Sequence, residues 1–546
     1  MGSLLCLKPN LPTAALLAVL ALVSCGPAST SDERMPSNRP NTIRPLLGVS
    51  GGPTPFQPGL YPDFVDTTKQ FQALGVNAIR MEDYFGPGDI TCMFPDPAAD
   101  PTDESNYDFA ATDAVFQAVV DGNFRPMLRL GQSWKAGEAT NGYDVEQPTG
   151  GMFPDKPTAY PGCEFWADGL AAGVKTAGPE LWNRIVSRYS DASRWGSNPL
   201  DNGWVEIWNE PNIPGTTLYW DAEPEAFYEF FATTATSLAT EFPDLTFGGP
   251  ASHGAGCTTP EGRQWVQEFL AYQADHDVSL DFFSWHWYGA NIDELRGCYE
   301  FFADALDQHG YGGTPQIVTE YNTDAVSCAG AGSTCHPHGE VSGGALATVA
   351  WIEMQSWPDL EGVFFYRGAD GPFIPNSELT MPIVDGAPCP GLGCDSLGGS
   401  GFGLLYGDGT RKPQGAAFAL WSMLAGWEVV DLAAPSLFVS EVAGVSLSDA
   451  GALLTGGLPT LGVLAGRNDA GQTRLLVANP QNVPVTADIA GLLATGGVDS
   501  GEDTRVTVTS LSPGATDLIS TSTADFSSLG SAELAPFGVL VFEVPR

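Results

Sequence analysis

The segment Trp204-Val-Glu-Ile-Trp-Asn-Glu-Pro-Asn212 is an apolar run that ends abruptly in polar residues. Residues Trp204–Trp208 have the length and composition of a buried strand, and Pro211 stops that strand. Glu210 therefore follows the strand directly, between an amide and a proline. In parallel β/α barrels the carboxyl ends of the strands carry the active site. The segment predicts one strand of such a barrel, with Glu210 on its functional face.

Similar short runs alternate with amphipathic helical stretches from Ile43 to about Trp427. The eight strand candidates are Pro45–Ser50, Ala78–Glu82, Arg125–Leu130, Trp204–Trp208, Thr246–Gly249, Phe282–His286, Gln316–Glu320 and Gly362–Tyr366. After Pro224, one covering helix is indicated by residues at helical spacing, namely Phe227, Phe230, Phe231, Thr234 and Leu238. This alternation predicts a (β/α)8 TIM barrel with enlarged loops, because parallel strands need helical crossovers and closure removes sheet edges.

An open doubly wound sheet is the alternative to the barrel. No strand candidate is followed by a Gly-x-Gly-x-x-Gly turn, and polar and aromatic residues occur at the ends of many different strands, so the barrel is favoured.

Past Trp427 the pattern changes to short alternating runs without long helices. These runs are Leu437–Val439, Gly462–Arg467, Arg474–Ala478, Val485–Ile489, Arg505–Ser510 and Val539–Val544. Turn signals separate them, and the pattern predicts a smaller C-terminal antiparallel β-sandwich. The expected domains are a barrel at residues 43–427 and a sandwich at residues 428–546.

The N-terminus has the features of an export signal. The apolar run Leu11–Val23 is too short to span a bilayer, and it ends in Leu22-Val23-Ser24-Cys25-Gly26, which resembles the lipobox of bacterial lipoproteins. We expect a lipoprotein signal peptide at residues 1–24, lipidation of Cys25 and a flexible tether at residues 25–42. The protein would then be exported to the cell envelope and would contact membrane only through this anchor. An ordinary cleaved signal with an incidental cysteine is the alternative.

Eight of the ten cysteines remain after Cys6 of the signal and Cys25 are set aside. In an oxidising compartment an even number predicts four disulfides, although eight cysteines allow 105 connectivities. Pairing of neighbours gives Cys92/Cys163, Cys257/Cys298, Cys328/Cys335 and Cys389/Cys394. Zinc binding by Cys335-His336-Pro337-His338 is the competing interpretation.

The chain has 23 Lys and Arg against 65 Asp and Glu, a net charge of −42. This acidity excludes nucleic acid and anionic membrane surfaces as partners, because both repel a strongly negative protein.

A second carboxylate stands at the end of the seventh strand candidate, in Gln316-Ile-Val-Thr-Glu-Tyr-Asn322. Glu210 and Glu320 then face one cavity. A separation of about 5–5.5 Å would suit a retaining glycosidase, with Glu320 as nucleophile and Glu210 as acid/base.

These motifs resemble those of clan A glycoside hydrolases, and more particularly glycoside hydrolase family 39, the β-xylosidase and α-L-iduronidase family. Further stretches are similar to that family's pattern: Phe247-Gly-Gly-Pro-Ala251, Ser284-Trp-His-Trp-Tyr-Gly289, Phe402-Gly-Leu-Leu405 and Arg411-Lys-Pro413. The resemblance covers nearly the whole mature chain. It implies a carbohydrate substrate and no cofactor or metal.

The resemblance also implies roles for individual residues. Asn209 would bind the sugar 2-hydroxyl, His286 and Tyr288 would line the nucleophile, and Arg80 would steady Glu320 or the sugar. Indole faces for sugar rings are offered by Trp134, Trp208, Trp220 and Trp287, each with packing in the core as the alternative.

Two departures from the family's pattern concern the substrate. Ile79-Arg80-Met81-Glu82-Asp83 has Glu82 where family members often carry a histidine, so a sugar-hydroxyl contact changes. Phe364-Phe-Tyr-Arg367 lacks the usual tryptophan, which makes Tyr366 the expected floor of the −1 subsite. Arg367 and Lys135 offer positive charges for a uronate. Because the strongly acidic surface disfavours long anionic polysaccharides, neutral glycans are the first expected substrates and uronides the second. Endo action and a non-catalytic carbohydrate-binding lipoprotein are the remaining alternatives.

Overall fold

The computed structural model describes residues 41–53, 65–82, 88–132, 166–213, 219–323, 341–369, 383–384, 387–388, 402–406, 409–434, 436, 439–442, 445–446, 458–498, 501, 504–512 and 518–546. Residues 1–40 lie outside these ranges, so the signal peptide, Cys25 and the tether stay predictions. No helix in the described ranges is long and apolar enough to cross a membrane.

Eight parallel strands form a closed barrel in which each strand pairs with the next along the chain. They are β1 (Gly48–Ser50), β2 (Ala78–Arg80), β3 (Arg125–Leu130), β4 (Trp204–Ile207), β5 (Phe247–Ser252), β6 (Phe282–Tyr288), β7 (Gln316–Asn322) and β8 (Leu360–Phe365). Gly48 pairs with both Ala78 and Phe364, which closes the ring. The predicted barrel is confirmed, and every strand candidate overlaps a strand.

The barrel is surrounded by helices. These are α1 (Thr68–Leu74), α2 (Ile90–Met93), α3 (Ala110–Asp121), α4 (Leu170–Ala177), α5 (Pro179–Tyr189), α6 (Ala192–Trp195), α7 (Pro224–Glu241), α8 (Ala255–Thr258), α9 (Pro260–Asp275), α10 (Ile292–Gln308), α11 (Val341–Gln355) and α12 (Pro413–Ser422). Helix α7 is the covering helix predicted from the sequence, and Phe227, Phe231 and Leu238 are fully buried on its inner face.

Side chains inside the barrel are arranged in layers. At the amino-terminal ends of the strands an apolar cluster fills the barrel, made of Ala78, Met127, Trp204, Phe282, Ile317 and Phe364. Two residues farther along their strands, Arg80, Arg129 and Glu206 point to the same side, because strand side chains alternate with period two. The apolar layer therefore supports a buried charged layer below the functional face.

The second part of the chain forms two antiparallel sheets. Its strands are β11 (Glu428–Val429), β12 (Val439–Val442), β13 (Val445–Ser446), β14 (Gly462–Arg467), β15 (Thr473–Ala478), β16 (Val485–Ala487), β17 (Arg505–Leu511), β18 (Ile519–Asp525), β19 (Ala532–Leu534) and β20 (Val539–Val544). A two-stranded pair, β9 (Ile383–Val384) with β10 (Ala387–Pro388), precedes them. The sheet orders are β11-β14-β15-β20-β17-β18 and β13-β12-β16-β19.

The predicted β-sandwich is confirmed, with one element wrong. The predicted strand Val485–Ile489 ends at Ala487, and helix α13 (Ile489–Thr495) follows. The Asp488 carboxylate accepts a hydrogen bond from the Gly491 N–H at 2.7 Å and so starts the helix.

One predicted disulfide is present in the described residues. Cys257 of α8 and Cys298 of α10 are bonded, which ties the segment after β5 to the helix after β6. Cys92 is also disulfide-bonded, and its predicted partner Cys163 lies outside the described residues. The other predicted pairs, and the zinc alternative at residues 335–338, lie outside them as well.

Candidate active site

Glu210 leaves strand β4 in a turn that directs its side chain into the mouth of the barrel. The Glu210 N–H donates to the Ala251 carbonyl at 3.0 Å, and the Trp208 N–H donates to the Leu130 carbonyl at 2.6 Å. Both residues have positive φ, 43° for Glu210 and 78° for Trp208. Such values are costly for side chains with a Cβ, so the neighbouring strands hold this turn in place.

Glu320 lies on β7, close to Glu210. His286 of β6 lies between the two carboxylates, with Nδ1 2.7 Å from Glu210 Oε1 and 3.5 Å from Glu320 Oε2. One atom from each of the three side chains falls within 4.8 Å of the others. The nearest oxygens of Glu210 and Glu320 are therefore no more than 4.8 Å apart, which is compatible with the roughly 5–5.5 Å of retaining glycosidases and shorter than the roughly 6.5–9.5 Å of inverting ones.

Arg80 belongs to the charged layer beneath this pair of carboxylates. Its Nη1 donates to Glu320 Oε1 at 2.8 Å and also to Glu82, while Nε donates to Glu206 Oε2 at 2.6 Å. The Arg80 side chain is fully buried. Of the two roles predicted for Arg80, steadying Glu320 or the sugar, the structure shows the contact with Glu320, and the guanidinium is surrounded by protein acceptors.

Glu206 is a residue of the site that the sequence motifs did not indicate. It is fully buried on β4 and faces Arg80 across the barrel. Its signal is a carboxylate in the middle of an otherwise apolar strand, which is rare unless the charge is paired.

Asn209 and Tyr288 are held close to the carboxylates. Asn209 Oδ1 accepts from Arg80 Nη2 at 2.7 Å, which orients the Asn209 NH2 group away from the guanidinium. The Tyr288 hydroxyl donates to Glu320 Oε2 at 2.5 Å. His286, predicted to line the nucleophile, lies closer to Glu210 than to Glu320.

Aromatic rings adjoin the nucleophile side of the site. Tyr366 follows β8, and its ring is 6.0 Å from that of Tyr288 and 5.7 Å from that of Phe402. Asn322 Nδ2 holds the Tyr366 carbonyl at 2.5 Å. Tyr366 and Phe402 thus lie beside Tyr288, whose hydroxyl binds Glu320; the role of Tyr366 as the floor of the −1 subsite stays a prediction.

Two of the predicted sugar-stacking tryptophans belong to the core. Trp208 is fully buried, donates from Nε1 to the Tyr219 carbonyl at 2.8 Å and packs edge-on against Trp182. Trp220 is buried against Trp208 and stacks on Phe230 at 5.5 Å. Their ring faces are covered by protein, so their predicted sugar contacts are wrong.

The other residues predicted to contact the sugar are buried or lie outside the described residues. Trp287 is also buried, and Trp134 and Lys135 lie outside the described residues. Arg367 is buried and donates from Nε to the Ala369 carbonyl at 2.8 Å, which gives the uronate alternative no support.

The two carboxyl groups differ in proton affinity. Burial and the nearby charge of Glu320 raise the pKa of Glu210 well above its ordinary value. Burial also raises the pKa of Glu320, but Arg80 and the Tyr288 hydroxyl stabilise its charged form and oppose the rise. Burial and Arg80 lower the pKa of His286, so that the ring is neutral. Glu210 therefore retains its proton when Glu320 is ionised.

Glu210, His286 and Glu320 are also the only group in the described part of the chain with the spacing of three potential metal ligands. The 2.7 Å contact between His286 and Glu210 is a direct hydrogen bond. Two ligands of one zinc ion stand about 3.4 Å apart by the geometry of a tetrahedral site, so this pair fits proton exchange better than metal binding.

Residues 175–298 match the model of glycosyl hydrolases family 39. The matched segment carries β4, β5 and β6, and with them Glu210, His286 and Tyr288. Among curated proteins, the chain is 24% identical over 236 residues to a β-xylosidase of Geobacillus stearothermophilus, covering 40% of this chain and 41% of that one. A β-xylosidase of Caldicellulosiruptor saccharolyticus is 25% identical over 141 residues, 23% of this chain and 27% of that one. The chain thus spans less than half the length of these relatives.

Solved structures extend the likeness in fold to nearly the whole chain. A family 39 β-xylosidase from Caulobacter crescentus superposes with a TM-score of 0.54 at 16% identity, covering 93% of this chain and 97% of that one. A glucosidase from Croceicoccus marinus gives 0.57 at 18% identity, covering 93% and 98%. The sequence and fold matches support the family 39 resemblance that the motifs predicted.

Proposed function

We propose that this protein is a retaining glycoside hydrolase in which Glu320 is the nucleophile and Glu210 the acid/base. The observation that carries the proposal is a pair of buried carboxyl groups with oxygens within 4.8 Å, of which Glu320 is held as the ion by Arg80 and Tyr288. The family 39 match across β4–β6 supports the reaction class.

In the first step the Glu320 carboxylate attacks the anomeric carbon of the sugar. The glycosidic C–O bond breaks, and Glu210 gives its proton to the leaving oxygen. The Asn209 NH2 group is oriented to bind the sugar 2-hydroxyl, a contact that strengthens as charge develops on the ring.

In the second step a water molecule replaces the leaving group. Glu210, now a carboxylate, takes a proton from that water, whose oxygen attacks the anomeric carbon and releases Glu320 as the ion. Two inversions at one carbon give a product with the configuration of the substrate.

The substrates proposed are neutral pentose or hexose glycans, cleaved in the manner of a β-xylosidase. The curated relatives bear that name, and the net charge of −42 disfavours long anionic polysaccharides. Arg367, the described candidate for binding a uronate, is buried and donates to a backbone carbonyl.

Product stereochemistry tests this proposal. The protein is incubated with 4-nitrophenyl β-xyloside and β-glucoside, and proton NMR records the first anomer released. We expect the β anomer, which mutarotates afterwards. The α anomer as first product contradicts the mechanism, and binding of xylan fragments without turnover of any glycoside favours a non-catalytic binding protein.

Export and lipid anchoring at Cys25 belong to the proposal and rest on the sequence Leu22-Val23-Ser24-Cys25-Gly26. Expression in a bacterial host with radiolabelled palmitate tests them. Label in the parent protein and none in Cys25→Ala is expected, and label in neither contradicts the anchor.

A further inference from the structure

The two ring nitrogens of His286 have different surroundings. Nδ1 lies 2.7 Å from Glu210 Oε1 and 3.5 Å from Glu320 Oε2. Nε2 is buried and has no hydrogen-bond partner among the described residues. The His286 side chain is fully enclosed, whereas the Glu210 side chain keeps 8% of its surface exposed. His286 therefore contacts the acid/base residue from within the protein and leaves the exposed part of Glu210 to the substrate.

The surroundings of Nε2 indicate which nitrogen carries the proton of the ring. Burial and Arg80 lower the pKa of His286 well below its ordinary value, so the ring is neutral and holds a single proton. In proteins, buried N–H groups without an acceptor are rarer than buried acceptors with an unused lone pair. The proton is therefore expected on Nδ1, with the lone pair on Nε2.

The charge close to Nδ1 favours the same tautomer. Glu320 is the ionised member of the carboxyl pair, because Arg80 and the Tyr288 hydroxyl both donate hydrogen bonds to it. A lone pair on Nδ1 would lie 3.5 Å from an oxygen of this anion and be repelled by it, whereas a proton on Nδ1 is attracted. Nδ1–H thus lies close to two carboxyl oxygens and donates its hydrogen bond to the nearer one, Glu210 Oε1.

A donor at Oε1 leaves the other oxygen of Glu210 for the acid proton. Oε2 has no hydrogen-bond partner among the described residues and is not enclosed by them. A proton on Oε2 can pass to the leaving oxygen while Oε1 continues to accept from His286. After the transfer, the same N–H stabilises the Glu210 carboxylate, which must then take a proton from water.

We propose that His286 is a positioning residue that donates from Nδ1 to Glu210 Oε1 in both protonation states, confining the acid proton to Oε2 and stabilising the carboxylate form. The proposal rests on the glycoside hydrolase function above and deepens it, by assigning the group that orients the acid/base residue.

Two substitutions of the same shape separate this hydrogen bond from the packing of the ring. In H286N the side-chain NH2 group can take the place of Nδ1–H and donate to Glu210. In H286L a methyl group takes that place, so the donor is lost. Both variants keep the other charged or titratable groups around the carboxyl pair, namely Arg80, Arg129, Glu206, Tyr219, His253, Tyr288 and Glu320. Burial lowers the pKa of His253 to about 4, so this neighbour stays neutral in the assay.

The experiment measures kcat/KM for xylobiose and cellobiose between about pH 5 and 9 in the parent and both variants. The basic limb of this profile reports the loss of the proton from Glu210. We expect the limb to lie roughly one pH unit higher in H286L than in the parent, as for loss of one hydrogen bond to a charged group. In H286N it should stay close to its position in the parent.

A basic limb at lower pH in H286L than in the parent would show that Nδ1 accepts from Glu210. The same limb in H286N and H286L would show that the donor has no effect. Either result overturns the role of His286 while the hydrolase function stands, whereas a parent protein that hydrolyses no glycoside overturns the function and the inference with it.

Thermal unfolding checks that each variant is folded at the assay temperature. If H286L is not, nitrogen NMR of the parent protein grown with isotope-labelled histidine locates the proton, with the His286 signals identified by their absence from H286N. A proton on Nδ1 is expected, and a proton on Nε2 overturns the proposal.

Discussion

Arg80 Nη1 donates a hydrogen bond of 2.8 Å to Glu320 Oε1 inside the barrel, with both side chains buried. The same guanidinium binds Glu206 and Asn209, so strands β2, β4 and β7 are joined through one cation. Arg80 therefore positions three side chains together, namely Glu320, Asn209 and Glu206.

Replacement of Arg80 by methionine should leave buried carboxylates without their cation. We expect Arg80→Met to lower the free energy of unfolding by about 3–5 kcal/mol at neutral pH. Arg184→Met is the control, because the Arg184–Glu104 pair is exposed and such pairs contribute less than about 1 kcal/mol. Urea unfolding of the three proteins measures the difference, and equal losses in the two variants would contradict the account.

The pH dependence of the Arg80→Met deficit gives an independent check. Burial raises the pKa of Glu320 and Arg80 opposes the rise, so without the cation the pKa of folded Glu320 should lie further above its value in the unfolded state. Protonation then stabilises the folded variant, so its deficit relative to the parent should shrink as the pH falls from 7 towards 5. A deficit that grows on acidification is the opposite of this expectation.

Replacement of the Tyr288 hydroxyl should shift the acid limb of the activity profile. The hydroxyl stabilises ionised Glu320 and lowers its pKa, so its loss in Tyr288→Phe raises that pKa. The acid limb of kcat/KM reports the group that must be ionised, and we expect it at higher pH in Tyr288→Phe than in the parent. Tyr311→Phe, which loses a hydroxyl bound to the Val278 carbonyl far from the pair, should leave the limb in place.

Replacement of Glu210 should lower kcat/KM most for substrates whose leaving group must be protonated. We expect Glu210→Ala to lose roughly 10²–10⁴-fold in kcat/KM on disaccharides, and much less on 2,4-dinitrophenyl glycosides, whose leaving group departs as the anion. Steady-state kinetics on the two substrate types decide. The same loss on both would remove Glu210 from the acid role.

The disulfide Cys257–Cys298 should stabilise the folded barrel by joining α8, after β5, to α10, after β6. The bond joins residues 41 apart in the chain, and closing loops of that size contributes about 2–4 kcal/mol. The double variant Cys257→Ala/Cys298→Ala should unfold at lower temperature by calorimetry. The single variants Cys257→Ala and Cys298→Ala should approach the same value, and no change in any of the three would show that the bond contributes little.

The parts of the fold that follow from hydrophobic pattern were predictable. The eight barrel strands are buried apolar runs bounded by turn residues, so each candidate overlaps its strand. Strands β5, β6 and β7 extend past their predicted ends to Ser252, Tyr288 and Asn322, and β8 begins earlier, at Leu360. Strand β18 was missed because its side chains are mostly exposed Ser and Thr, so it carries no apolar alternation. Helix α13 was missed because Val485–Ile489 continues an apolar pattern, and only the Asp488 cap marks the change.

For the site, sequence position identified the residues at strand ends but not their partners. Glu210 and Glu320 were recognisable because each stands at the end of an apolar run. The contact of His286 with Glu210 depends on how β6 lies between β4 and β7, and the burial of Trp208 depends on the turn at positive φ. Neither feature is encoded locally, so both needed the folded chain.

Trapping of the covalent glycosyl-enzyme intermediate identifies the nucleophile. The protein is treated with 2,4-dinitrophenyl 2-deoxy-2-fluoro-β-xyloside and the corresponding glucoside, and the digested protein is mapped by mass spectrometry. We expect a fluorosugar ester on Glu320, formed with loss of activity and absent from Glu320→Gln. A label on Glu210, or inactivation without any label on Glu320, would contradict it.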